Sequence, residues 1–206
     1  MVLDDAVKEL LSRLPDIPTL RDRCRALAML DAILSPEWED RFYSFDSGWA
    51  EGEELASMRD GSGNQWFIVF AAAGVYGQGF DHEAPNAPEV LDPVPAAFAS
   101  CVEEPAFGDE VGPLVTVCFW REPADPAWGI SVADRGGEGL FDVLVEGTPE
   151  AYQEFAEDYY EFDLGLSIVQ HVFALRPLTQ EVIAELDPDL ELADLDEDIA
   201  QIGYPR

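Results

Sequence analysis

Glu54-Leu55-Ala56-Ser57-Met58-Arg59, Asp60-Gly61-Ser62-Gly63-Asn64 and Trp66-Phe67-Ile68-Val69-Phe70 follow one another with only Gln65 interposed. Asp, Gly, Ser and Asn are the residues that turn a chain sharply, and here they separate two extended runs. The stretch predicts a β-hairpin. Trp66 to Phe70 is apolar at every position, as a central strand buried on both faces must be.

Outward from the hairpin the β texture continues. Phe42, Phe45 and Trp49 sit among small and polar residues from Arg41 onward. Val75–Phe80 reads as a further strand, Leu114–Trp120 as a second fully apolar one, and Trp128–Val132 as another. Between them, residues 84–95 carry four prolines and read as a loop, followed by a short helix over 94–102.

Both ends read as helical. Leu3, Ala6, Val7, Leu10, Leu11 and Leu14 fall on one helical face. Pro15 and Pro18 break that pattern, and Thr19 is the expected cap of a second helix running to about Leu34. Thr148-Pro149-Glu150 supplies a cap, a proline in the first turn and an acid to start a later helix. Further helices are expected over Leu164–Leu175, Thr179–Leu186 and Ala193–Ile202. The expected fold class is α+β: an N-terminal helix pair, a central mainly antiparallel sheet with its hairpin, and a C-terminal helix cluster. Residues 1–36 form the helical segment and 37–206 a single α+β domain, the whole making one compact unit.

The charge bounds the function. Asp and Glu total 43 against 11 Lys and Arg, a formal net charge of -32. Nucleic acids and anionic membranes would be repelled, whereas a basic protein would be drawn in. With 48% apolar and 11% aromatic residues the chain still has material for a core, unlike a disordered acidic chain. Its only lysine is Lys8, beside ten arginines, a bias that a salt-adapted or codon-biased proteome would also produce. Cys24, Cys101 and Cys118 are widely separated and sit in apolar runs, so they imply neither a zinc knuckle nor a disulfide framework. The N-terminus lacks the pattern of a signal peptide, and the expected compartment is the cytosol.

Candidate sites are few. Asp81-His82-Glu83 places carboxylates beside an imidazole at a strand end, the residue types of a metal or acid–base site, with His171 the only other histidine. In an extended strand, however, Asp81 and Glu83 share one side and His82 faces the other. Arg59, a lone cation in a long acidic stretch, is read either as the partner of Asp60, Asp46 or Asp81 or as an anion anchor in a sheet-lined pocket. Phe155, Tyr159, Tyr160 and Phe162 lie among Glu154, Glu157, Asp158 and Glu161, a pattern that fits either an interface or an ordinary amphipathic helix. In Glu185–Asp198, Asp187, Asp189 and Glu191 take calcium-loop spacing, but Leu192 stands where such a loop needs glycine. Gly77-Gln78-Gly79 lacks the third glycine of a dinucleotide turn, and Gly136-Gly137-Glu138-Gly139 lacks the residues of a phosphate loop. No metal or cofactor is implied.

The strings Phe42 through Asp46-Ser47 and Trp49, Ala56 through Gly63, and Gly79-Phe80-Asp81-His82-Glu83 resemble a family of uncharacterised acidic bacterial proteins. Glu103–Phe107, the Tyr152–Tyr160 helix, Pro177-Leu178-Thr179 and Ile202–Pro205 extend the resemblance over about residues 40–205. It implies no catalytic residue. By analogy it implies an immunity or antitoxin role, neutralising a toxin inside the producing cell. The expected function is an acidic, cytosolic protein-binding protein with a basic partner. An enzyme or metal module centred on Asp81-His82-Glu83, a nucleic-acid mimic and a housekeeping protein of an acidic proteome stand as alternatives.

Overall fold

The computed structural model describes residues 3–161 and 163–206. Two helices, α1 (Leu3–Ser12) and α2 (Ile17–Leu34), precede an antiparallel meander. Its strands are β1 (Tyr43–Ala50), β2 (Glu53–Arg59), β3 (Gln65–Ala71) and β4 (Gly74–Phe80), then, after a loop holding α3 (Ala99–Val102), β5 (Val117–Arg121) and β6 (Gly129–Val132). They pair in sequence order, β1-β2-β3-β4-β5-β6. Helices α4 (Asp142–Glu146), α5 (Pro149–Tyr160), α6 (Leu166–Phe173), α7 (Gln180–Leu186) and α8 (Asp196–Ile202) close the chain. The α+β expectation holds, with the hairpin centred on Asp60–Asn64.

Strict alternation divides the sheet into two faces. Tyr43, Phe45, Ala56, Met58, Trp66, Ile68, Phe70, Val117 and Phe119 pack with Leu11, Leu27, Leu30, Val169 and Ile199, so the first two helices and the C-terminal cluster share one core on one face. Leu55, Phe67, Val69, Tyr76 and Cys118 point the other way, under a lid made by residues 84–116 through Val90, Phe98 and Phe107. Both faces of β3 are therefore buried, which is what its unbroken apolar run requires.

The glycines of β4 serve packing. A Cβ on Gly77 would fall within the ring of Phe119, and one on Gly79 would lie 2.8 Å from Cζ of Phe141. Their bare backbone gives the aromatic rings of β5 and the 140–141 segment their room.

Local details depart from expectation. The cap of α2 is Asp16, whose Oδ1 accepts from Thr19 N at 3.0 Å, not Thr19 itself; Pro18 fits inside the first turn, where its missing N–H costs nothing. β5 starts at Val117 rather than Leu114 because Leu114 and Val115 bond to the lid: Leu114 N donates to Phe107 O and Val115 N to Asn86 Oδ1. β1 carries a register shift between Asp46 and Ala50, which blurs its alternation in the sequence. Helix α4 was not expected. Arg23 caps its last turn, donating to the carbonyls of Leu144 and Val145 at 3.1 and 2.9 Å, and the guanidinium fills the space beside left-handed Gly147 that a side chain would need.

One buried charge ties the layers together. Asp31, on α2, is fully buried; its Oδ2 accepts from Tyr43 N of β1 at 2.7 Å and its Oδ1 from the Tyr152 hydroxyl of α5 at 2.6 Å. The nearby Tyr160 hydroxyl adds a weaker attraction outside hydrogen-bond geometry. Burial pushes the Asp31 carboxyl up to about 6, although the Tyr152 hydroxyl and the Tyr43 N–H favour its ionised form.

Two outcomes follow from this packing. Gly77→Ala should lower stability by about 2 kcal/mol, read as a lower urea midpoint at unchanged slope, because the Phe119 ring has no space to yield. For Asp31 the folded carboxyl binds its proton more tightly than the unfolded one, so stability falls as pH rises from about 4 to about 6. Asp31→Asn keeps an acceptor for Tyr43 N and, without ionising, can replace the bond accepted from Tyr152 by one that its amide donates to Tyr152 Oη. Its stability relative to wild type should therefore rise by up to ~3 kcal/mol over that interval. A difference that stays flat with pH would contradict this.

Candidate functional site

The lid over the second face covers β3 to β6 and Leu55 of β2. Phe107 stacks on Phe67 with ring centroids 4.5 Å apart, and Gln78 donates to the carbonyls of Phe107 and Leu114 at 3.0 and 3.2 Å. Further toward the β1 edge the lid ends, and the face presents Ser44, Asp46, Ser57 and Arg59. Ser44 and Ser57 are direct cross-strand partners. Trp38, from the short turn before β1, and Trp49, from its bulged end, stand beside these polar residues. Together with Phe67 and Phe107 they form a groove of about 140 Å³.

Local sequence sets this geometry. Arg41 donates to the carbonyls of Ser35 and Pro36, both at 2.8 Å, and pairs with Asp198 of α8 at 2.5 Å, so the turn bearing Trp38 is held from inside. Arg59 N donates to Phe42 O at 2.9 Å, fixing the guanidinium stem against β1. The guanidinium then lies over the Trp38 ring at 5.4 Å and the Phe67 ring at 5.9 Å from their centroids, in cation–π contact with both.

No carboxylate of a described residue comes within ion-pair distance of Arg59. Asp60, its expected partner, instead accepts from Ser62 N, Ser62 Oγ and Asn64 Nδ2 at 2.8, 2.7 and 2.8 Å, and so holds the hairpin turn. Burial alone would raise the Asp60 carboxyl, but these donors hold it below the usual carboxylate range. Asp46 turns one oxygen to Gly48 N at 2.8 Å, and Asp81 is engaged elsewhere. The hydroxyls of Ser44 and Ser57 likewise make no hydrogen bond with a described residue. The groove thus holds unpaired donors between aromatic walls.

The other expected residues do not assemble around Arg59. Asp81 accepts from Glu83 N at 2.9 Å and Gly137 N at 3.2 Å, bracing the glycine-rich turn. His82 is exposed and bonds through its N–H and Nδ1 to Asn64 Oδ1, at 3.0 and 2.9 Å. Glu83 is exposed, and His171 Nε2 lies 2.9 Å from Pro177 O on the opposite, helical side of the molecule. The five-residue pocket of Arg59, Asp81, His82, Glu83 and His171 is therefore not formed: Asp81, His82 and His171 are engaged locally, Glu83 is exposed, and Arg59 lies over Trp38 and Phe67. Among the described residues no group of three or more His, Cys, Asp or Glu is arranged to hold a metal ion. All three cysteines are buried; burial pushes the Cys101 thiol up to about 11 and that of Cys118 to about 12, so neither offers a thiolate.

On α5 the aromatics mostly turn inward. Phe155 is half-buried against Phe42 and Tyr43 at 4.7 and 5.4 Å, and Tyr160 packs toward Asp31. Tyr159 stays exposed, with Glu154, Asp158 and Glu161 outside it, while half-buried Glu157 accepts from Leu164 N at 3.1 Å. Phe162 lies outside the described residues. In the acidic stretch with calcium-loop spacing, Asp187 accepts from Asp189 N, and Glu191 and Asp194 cap a short helical turn.

No family model, curated protein or solved structure matches the chain. Among the described residues no helix is long and apolar enough to cross a membrane.

Trp38, Ser44 and Ser57 escaped the sequence reading as site residues. Ser44 becomes a neighbour of Arg59 only through the pairing of β1 with β2, and Trp38 only through the turn that precedes β1. The loop roles are testable by mutation. Asp81→Ala should cost about 1 to 2 kcal/mol by freeing two backbone N–H groups, whereas His82→Ala should change the urea midpoint little. The reverse order of effects would assign His82 more than a surface role.

Proposed function

We propose that this chain is an acidic protein-binding protein acting in the cytosol, and that it docks a basic protein over the groove of Trp38, Trp49 and Arg59. The observation that carries this reading is the pairing of aromatic anchors with unpaired donors on an otherwise covered sheet. Trp38 and Trp49 are 49% and 36% exposed, whereas Phe67 and Phe107 beside them are buried. Tryptophan and arginine are the residues that most often dominate binding energy at protein interfaces.

The surrounding charge supports a basic partner. Glu37, Glu39, Asp40 and Glu51 are exposed on the segments that carry the two tryptophans, within a chain of net charge -32. Such a field speeds encounter with a positive surface and opposes phosphate backbones. An immunity or antitoxin role is the sharpest form of this proposal, in keeping with the resemblance to acidic bacterial proteins. A catalytic reading centred on Asp81-His82-Glu83 lacks comparable support, since the Asp81 and His82 side chains are engaged in loop hydrogen bonds and Glu83 is exposed.

Affinity capture from the native cell at low salt should recover one basic protein in stoichiometric amount, released as salt rises. Trp38→Ala and Trp49→Ala should each weaken that complex at least tenfold while leaving the fold intact by circular dichroism. Recovery of no basic partner, or undiminished binding by both variants, would overturn the proposal.

A further inference from the structure

A docking surface for a basic protein should be acidic throughout, yet this groove carries an exposed cation, Arg59. With 43 acids against 11 cations, there are carboxylates enough for every cationic side chain. Several are paired: Arg21 and Arg25 reach Glu54 at 2.7 and 2.6 Å, Arg41 reaches Asp198, and Arg206 reaches Asp196 at 3.1 Å. Arg23 and Arg121 donate to backbone carbonyls. Arg59 does neither. Its guanidinium lies over the Trp38 and Phe67 rings, and its N–H groups have no acceptor among the described residues.

Resting on the docking reading above, we infer that the groove is a seat for one carboxylate side chain, a Glu or Asp that the basic partner presents within its positive surface. Three features of the groove agree on that ligand. A planar fork of donors matches a carboxylate in bidentate geometry. Ser44 and Ser57, facing each other across the strand pair, add hydroxyl donors that no described residue uses. The volume, about 140 Å³, takes a single side chain and falls well short of the roughly 300 Å³ at which ordinary small-molecule sites begin. A lysine or arginine in the same place would meet Arg59 as a like charge. Basic proteins lacking a correctly placed acid are thus attracted by the rim and rejected at the centre, which is specificity through repulsion.

The test uses the intact chain and small probes, so it does not depend on finding the partner. N-acetyl-glutamate N-methylamide, its glutamine analogue and its lysine analogue are titrated at 150 mM salt while the indole N–H signals of Trp38 and Trp49 are followed by NMR. The glutamate probe should saturate with millimolar affinity and bind at least tenfold more tightly than the glutamine probe. The preference should vanish in Arg59→Gln and fall several-fold in Ser44→Ala/Ser57→Ala, with thermal melts reporting that both variants remain folded. Equal binding of the glutamate and glutamine probes, binding of none, or preference for lysine would overturn the carboxylate seat. If the seat fails while Trp38→Ala still abolishes capture of the basic partner, docking stands without it. If the probe binds but no basic partner is captured, the seat stands and the docking reading falls.

Discussion

The buried carboxylate of Asp31 is the constraint on which the arrangement depends. A fully buried charge is costly unless donors reach it, and the donors come from two other layers: the backbone of Tyr43 and the hydroxyl of Tyr152. Helix α2, strand β1 and helix α5 are therefore locked in one mutual register, since a slip of β1 by one residue would withdraw the N–H and turn every side chain to the wrong face. That register places Phe42 O where Arg59 N can donate and sets Ser44 opposite Ser57. The groove on the far side of the sheet is thus fixed from the core.

Arg41 extends the same constraint outward. Its four hydrogen bonds hold Ser35, Pro36 and Asp198 together, so the exposed turn bearing Trp38 is anchored at its base by a side chain only 7% exposed. Arg23 does the same work between α2 and α4. The few cations of this acidic chain mostly act as internal fasteners. Their concentration in α2 has a structural explanation: Arg21 and Arg25 converge on Glu54, and Arg23 caps a helix end.

The hairpin and β3 were legible because turn residues and apolar runs are local signals. The same holds for α5, whose Thr148 cap donates no ambiguity: its hydroxyl accepts from Ala151 N at 3.2 Å. Asp31 was not singled out, although it continues the stripe of Cys24, Leu27 and Ala28 at helical spacing and is the one acid on it. Five-residue α4 is too short to show a period, and its stability comes from Arg23, over a hundred residues earlier. The site failed to read for a related reason. Arg59 was visible as a lone cation, but its partners are rings from Trp38 and Phe67, brought near by strand pairing rather than by sequence proximity.

Charge acts here at two distances, with opposite signs. Beyond about 8 Å at physiological salt the individual carboxylates blur into a negative field that recruits positive surfaces with little discrimination. Within the groove the field is no longer an average: the guanidinium of Arg59, over the Trp38 and Phe67 rings and out of ion-pair reach of Asp46 on the same groove, places a positive charge there. An acidic protein that relied on its net charge alone would bind every basic neighbour comparably. Keeping one arginine unpaired costs the ion pair it would otherwise make with Asp46 or Asp60, worth at most about 1 kcal/mol at an exposed site. In exchange the groove can discriminate between basic partners by what they place at its centre, which uniform acidity cannot do.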